Sequence, residues 1–207
     1  MSAPDRQAAL AQYRRRAGVY DLELALFEPL RREAVACLAL QPGETVLDMG
    51  CGTGLSLPLL RAAVGVAGRV VGIEQSPEML ALARRRVAQH AWRNVELIGA
   101  TAEAARWPGR ADAALFHFTH DVLQRPEAVA NALGHLRRGA RVVATGLCWA
   151  PRWAIAVNAA VLAAARRSTT TLVGLDRPWR LLEARLGPMR VQRRLLGAVY
   201  LACGAKP

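Results

Sequence analysis

This sequence predicts a doubly wound, mostly parallel α/β sheet of about seven strands, with a helical cover at the N-terminus and an antiparallel hairpin at the C-terminus. Three observations lead there. Short apolar runs recur at intervals that leave room for one helix between each pair, the spacing of parallel strands joined by crossovers. The first of them, Val46-Leu47-Asp48-Met49, runs into the turn Gly50-Cys51-Gly52-Thr53-Gly54, and an apolar helical pattern follows from Leu55. A hydrophobic content of 53% over 207 residues suffices for one sizeable core and is too apolar for a disordered chain. A single domain over 1–207 is expected, with 1–40 as the cover and 41–207 as the core.

The elements follow in order. Residues Pro4 to Leu40 read as two helical pieces, with Arg14-Arg15-Arg16 on a polar face and Gly18 as a break. Gln41-Pro42-Gly43 opens the first strand, Thr45 to Met49, and Leu55 to Val64 is the helix after the glycine turn. A second strand spans Arg69 to Ile73. Ser76 then has the chemistry of an N-cap, Pro77 the first helical position and Glu78 the positive end, for a helix to about Gln89. Val95 to Ile98 and Ala111 to Phe116 are strands three and four. Pro126 starts a helix to Arg137 that Gly139 ends, and Arg141 to Thr145 is strand five. Beyond it come an apolar segment (Trp153 to Ala165), a short helix (Arg177 to Leu186) and two runs, Met189 to Arg194 and Ala198 to Cys203, placed to pair antiparallel at the sheet edge.

Composition narrows the partners. Asp5 and Arg6 without an apolar run do not read as a signal peptide, and Trp153 to Ala165 is too short to span a bilayer and carries Asn158. Cys37, Cys51, Cys148 and Cys203 lie far apart, without metal-ligand spacing, so reduced thiols, a cytoplasmic setting and no bound metal are expected. The formal net charge is +12, but Lys206 is the only lysine and the arginines are scattered rather than striped. So diffuse an excess argues against a specific nucleic-acid partner and leaves peripheral contact with an anionic membrane open. Either a monomer or a homodimer fits.

The chemistry concentrates at strand ends. Glycines at 50, 52 and 54 can take positive φ and let a ligand touch the backbone, and the surrounding amides face the helix start. A dinucleotide fingerprint would be G-x-G-x-x-G, whereas here the third glycine comes one residue early and Leu55 holds its place. About twenty residues on, the second apolar run ends in Glu74, placed to accept hydrogen bonds from ribose hydroxyls. Strand four ends in Phe116-His117-Phe118-Thr119-His120-Asp121, at the edge where open α/β sheets bind their ligands.

An acid, a G-x-G-x-G turn and a strand-end acid together resemble the class I S-adenosylmethionine (SAM) methyltransferases, over roughly Tyr13 to the C-terminus. The resemblance implies a Rossmann-like core with SAM as cofactor. Asp48 would organise the loop of Gly50, Cys51, Gly52 and Gly54 around the methionine part, and Glu74 would hold the ribose. Gln75 and Met79 would flank the adenine. The family often carries an acid after strand three for the adenine amino group, but this chain has Thr101, so the Thr101 hydroxyl or the Ala102 amide is the substitute. His117 either contacts the cofactor or packs beneath it.

His120 and Asp121 are the candidates for orienting or deprotonating a substrate amine. No Asn/Asp-Pro-Pro-Tyr run follows strand four, which disfavours methylation of exocyclic base amines. Tyr13, Tyr20 and Asp21 resemble the N-terminal cover of small-molecule and lipid-headgroup methyltransferases, with Tyr20 over the sulfonium. Trp149, Trp153, Asn158 and Trp179 follow strand five, where the family builds its substrate pocket; Tyr13, Trp149, Asn158 and Trp179 are the substrate contacts expected from the sequence. Methyl transfer to an amine of a small metabolite or lipid headgroup is the leading expectation. The same fold also admits attack on the carbon chain of SAM, either cyclising it to azetidine-2-carboxylate with loss of methylthioadenosine or transferring its aminocarboxypropyl group. A SAM-binding module without catalysis is the third reading.

Overall fold

The computed structural model describes Pro4, Asp5, Gln7 and residues 25–207. A seven-stranded sheet runs in the order β3-β2-β1-β4-β5-β7-β6. Its strands are β1 (Thr45–Met49), β2 (Arg69–Glu74), β3 (Val95–Gly99), β4 (Ala111–His117), β5 (Leu136–Leu147), β6 (Arg190–Arg194) and β7 (Val199–Ala205). Strands β1 to β5 are parallel, while β7 is antiparallel to both β5 and β6. The mostly parallel sheet with a terminal antiparallel pair is as the sequence predicts. The order reverses at β1, so the carboxyl ends of β1 and β4 diverge and open a crevice between the connections that follow them.

Helices α1 (Glu28–Cys37), α2 (Leu57–Val64), α3 (Pro77–Gln89), α4 (His120–Leu123), α5 (Pro126–Gly134), α6 (Ile155–Ser168) and α7 (Arg180–Leu186) surround the sheet. Buried strands alternate their side chains between two cores. Val46, Val70, Leu115 and Val143 pack with Ala34 of α1, Leu38 just after it, and Leu57 and Leu60 of α2. Leu47, Met49, Ile73 and Phe116 face the other way, onto Val129 and Leu133 of α5 and Leu182 of α7. By the same alternation Asp48 and His117 lie on the face that α1 covers. That places two polar strand-end residues opposite the one arginine of α1 that is buried.

Ser76 caps α3 as its chemistry suggests, its Oγ accepting from the Met79 amide at 3.3 Å. Several boundaries differ from expectation, and two helices show it best. The helix from Pro126 stops at Gly134, and Arg137-Arg138-Gly139, which resembles a helix end, belongs to the start of β5. Leu136 pairs with Ala111, the register then shifts, and Arg141 pairs with Ala113. Gly139, at φ +75°, donates its amide to the Lys206 carbonyl, so pairing with the end of β7 overrides the local helix signal. The other is α7, which begins at Arg180 rather than Arg177. Tyr13, Tyr20 and Asp21 lie outside the described residues. Among the described residues no helix is long and apolar enough to cross a membrane, and no group of three or more His, Cys, Asp or Glu is placed to hold a metal ion.

Candidate active site

Two cavities meet at the glycine turn. The larger, about 800 Å³ including its open mouth, is walled by Gly50, Gly52, Glu74, Met79, Ala102 and His120, with Gln75 and Glu103 also on its lining. The smaller, about 310 Å³ on the same measure, lies beneath the turn among Arg31, Asp48, Cys51, Thr53, Ser56 and His117. Both touch Gly50 and Gly52, so the loop separates one continuous site into a wide half and a narrow half.

The loop is held by backbone bonds on both sides. Gly50 and Cys51 donate to the Ile73 carbonyl at 2.8 and 3.0 Å, and Gly54 donates to the Cys51 carbonyl at 2.9 Å. Arg86 of α3 donates to the Thr53 carbonyl. A Cβ at Gly50 would stand 2.6 Å from the Cγ2 of Thr119, so the first glycine is required by space as well as by its φ of +73°. Cys51 packs its sulfur against Gly72, and burial with the nearby carboxylates pushes its thiol well above the usual range. It is a wall, not a nucleophile.

Glu74 sits at the tip of β2, buried, and each of its carboxylate oxygens already accepts one amide: Gly52 at 3.0 Å and Ser76 at 2.7 Å. A carboxylate has about four lone-pair positions, so two remain for the cleft. Burial raises its pKa while those amides oppose the shift. The two bonds also fix its direction, giving a rigid bidentate acceptor at the cleft wall.

The narrow half holds several unsatisfied groups. Arg31 is 2% exposed and pairs with Glu28, yet its Nε and Nη2 are buried without a partner. Asp48 Oδ2 and His117 Nε2 are likewise buried and unpartnered. Burial pushes the Asp48 carboxyl up to about 7, against the pull of the Arg31 guanidinium, and pushes His117 down to about 3. His117 is therefore a neutral imidazole at any physiological pH. Unsatisfied buried polar groups cost free energy, and here an acceptor, a donor fork and a neutral ring surround one small cavity. The chemistry that satisfies them together is a zwitterion, its ammonium toward Asp48 and its carboxylate toward Arg31.

At the end of β4 the chain turns sharply. Phe118 takes φ +56°, unusual for a bulky residue, and its ring lies 4.9 Å from both Phe27 and His117. The turn aims Thr119, His120 and Asp121 into the wide half. His120 Nε2 lies 2.9 Å from the Val173 carbonyl, which can only accept, so that nitrogen carries the proton. Nδ1 is left with a bare lone pair, buried and unpartnered. Burial lowers the pKa of this histidine, with Asp121 opposing the shift. Asp121 itself anchors the following segment, accepting from both the amide and the hydroxyl of Thr170. It therefore positions the loop around His120 while remaining on the lining of the wide half.

The remaining expected residues divide clearly. Gln75, Met79 and Ala102 line the cleft as the sequence suggests. Thr101 is buried behind it, its carbonyl accepting from the Ala104 and Ala105 amides, while Glu103 reaches the lining and pairs with Arg125 at 3.6 Å. Trp179 belongs to the core, with its ring 5.0 Å from Tyr200. Asn158 clamps the loop before α6, accepting from the Ala150 amide and donating to the Ala150 and Pro151 carbonyls. Trp149 is half-buried and ties that loop through its backbone to Leu175 and Arg193. None of these three reaches the cleft. Arg31, Phe118 and Thr119 do line the site and were not anticipated.

The model for a methyltransferase domain matches residues 46–139, the span from β1 through the start of β5. The N-methyltransferase NodS from Bradyrhizobium japonicum WM9, solved with S-adenosyl-L-homocysteine, shares the fold at a TM-score of 0.72, covering 96% of this chain and 98% of its own, at 15% identity. The chain carries a methyltransferase-domain match over its first strands and has the fold of the class I methyltransferases. Among curated relatives it is 46% identical over 61 residues to an arsenite methyltransferase of Halobacterium salinarum, a stretch covering 30% of this chain and 16% of that protein. It is 35% identical over 111 residues to aklanonic acid methyltransferase DauC of Streptomyces sp., covering 53% of this chain and 50% of the relative. The chain thus spans no more than half the length of these curated relatives. By their names these relatives act on chemically unlike acceptors.

Proposed function

We propose that this chain is a class I methyltransferase that binds SAM and directs its methyl group to an amine of a small metabolite or lipid headgroup. The observation that supports the cofactor is the narrow pocket, where Asp48, Arg31 and His117 each bury an unpartnered polar atom. Asp48 would hold the ammonium and Arg31 the carboxylate of the amino-acid end, and Glu74 the ribose hydroxyls. Ile73, Met79 and Ala102 offer an apolar slot for the base.

When bound, this cofactor supplies an electrophilic methyl on a sulfonium, a leaving group that needs no acid assistance. The chain's own tasks are then placement, exclusion of water and provision of an unprotonated nucleophile. His120 supports an amine acceptor. Its Nε2–H is anchored on Val173, leaving Nδ1 to accept a proton from an ammonium in the wide half. Such general-base assistance contributes typically about 10²–10⁴-fold.

The test is a product assay. Purified protein with SAM and a panel of amines should yield methylated amine and S-adenosylhomocysteine, resolved by mass spectrometry. Methylthioadenosine formed without a second substrate would replace methyl transfer with attack on the carbon chain. Binding without either product would leave only a binding module.

His120→Asn should lower kcat by about 10²–10⁴-fold with cofactor affinity little changed. Because burial lowers the His120 pKa from 6.5, wild-type kcat at saturating cofactor should hold as the pH falls toward 6.5, since the base stays neutral there. A kcat, at saturating cofactor, already halved well above that pH would remove His120 from the role.

A further inference from the structure

We propose that the rim formed by the β5–α6 loop and the turn before β7 docks on an anionic lipid bilayer. Trp153, Ile155, Leu195 and Leu196 are 77%, 76%, 58% and 73% exposed, four of the six large apolar side chains most open to solvent among the described residues. They come from two segments that the structure laces together. Cys148 donates its amide to the Ala198 carbonyl and its thiol to the Gly197 carbonyl, and Arg193 bridges the Trp149 and Gly197 carbonyls. The backbone of Gly197 is so close to Pro151 that a Cβ there would stand 2.8 Å from its ring.

The turn presents its leucines outward at conformational expense. Leu195 and Leu196 take φ +50° and +54° in succession, a region leucine rarely adopts. Four large apolar side chains, one of them tryptophan, thus project from one rigid edge. A tryptophan beside aliphatic side chains suits the boundary between headgroups and acyl chains.

Charge selects the occupant. Residues 148–197 carry nine arginines against two acids, so this stretch supplies much of the chain's excess positive charge. Arg152 and Arg193, flanking the apolar tip in sequence, are both exposed. Apolar insertion with surrounding cations is the pattern of peripheral binding to anionic lipid. The location fits as well. Leu147 pairs with Val199, which puts both segments at the carboxyl end of the parallel strands, the same edge as the cleft, and α6 leads from Ile155 at the tip to Ser168 on the cleft lining. The docking surface does not depend on which acceptor the site uses.

The experiment is co-sedimentation of the full chain with vesicles of phosphatidylglycerol and phosphatidylcholine, against phosphatidylcholine alone. Binding should favour the anionic vesicles at least tenfold and weaken in high salt. The triple variant Trp153→Ser, Leu195→Ser, Leu196→Ser should lose at least tenfold of it while binding S-adenosylhomocysteine as the wild type does, which certifies its fold and separates this surface from the cofactor site. Equal binding to both vesicle types, or anionic binding that the triple variant retains, would overturn the proposal. So would a wild-type dimer that the same variant dissolves, because the rim would then be covered by a second copy; so, too, would tryptophan emission that does not shift to the blue on mixing with anionic vesicles.

Discussion

Asp48→Asn should weaken the affinity for S-adenosylhomocysteine by two to three orders of magnitude in isothermal titration, and at the same time raise the melting temperature of the ligand-free protein above neutral pH. The two effects have one cause. Asp48 is 1% exposed, with one carboxylate oxygen unpartnered, and burial holds its carboxyl at about 7. A buried carboxylate without its counterion is costly, and breaking such a pair typically costs about 3–5 kcal/mol. The sign follows from linkage. A carboxyl whose folded pKa lies above its unfolded value of 3.8 stabilises the fold most when protonated, and that stability fades as the pH rises through about 7. The ligand-free wild type should therefore lose stability between pH 4 and 8 in a way the asparagine variant does not. Affinity should move oppositely, because only the ionised Asp48 pairs with the ligand's ammonium. Wild-type binding should strengthen from pH 6 to pH 8, and the variant's should stay flat. A variant that binds as tightly as the wild type at pH 8 would detach Asp48 from the ligand altogether.

The half of the site legible in the sequence is the half that the local backbone builds. Asp48, the glycine turn and Glu74 sit at the ends of two adjacent parallel strands, so strand length and turn chemistry alone bring them together. Arg31 was not legible in that way, because a helix face must first be chosen. Yet its signal was present: Arg31, Ala34, Val35 and Leu38 follow the i, i+3, i+4, i+7 stripe, and all four are buried. An arginine occupying the first place of an apolar stripe points a cation into the protein, and a functional reason should be sought for it.

Asn158, Trp149 and Trp179 show the opposite failure. Their residue types suit a substrate pocket, but their targets depend on how the segment after β5 folds back. There the amide of Asn158 satisfies backbone groups of its own loop, and the ring of Trp179 fills the core beside Tyr200. Polar and aromatic side chains serve both purposes equally well, and composition does not distinguish them. The β5 boundary shows the same competition. Arg137-Arg138-Gly139 has helix-ending chemistry, and the pairing of Gly139 with Lys206, far away in sequence, decides otherwise.

Gly50→Ala separates the two demands that the glycine turn makes. At φ +73° an alanine is strained by roughly 1–2 kcal/mol. Its Cβ would also stand 2.6 Å from Thr119 Cγ2, and overpacking of that kind typically adds about 1–3 kcal/mol. The single variant should lose about 2–5 kcal/mol in denaturant unfolding, together with most ligand affinity, since Gly50 lines both halves of the site. Thr119→Ser deletes the obstructing methyl and keeps the hydroxyl, with Cβ of residue 119 at an ordinary 3.6 Å from the new atom. The double variant should therefore recover the steric share and retain the backbone share, leaving a deficit of about 1–2 kcal/mol. Full recovery would mean that the turn relaxes to negative φ once room is made. No recovery would mean that backbone strain alone excludes alanine, and that the contact between the β1 and β4 turns, which joins the cofactor half of the cleft to the His120 half, carries no energy of its own.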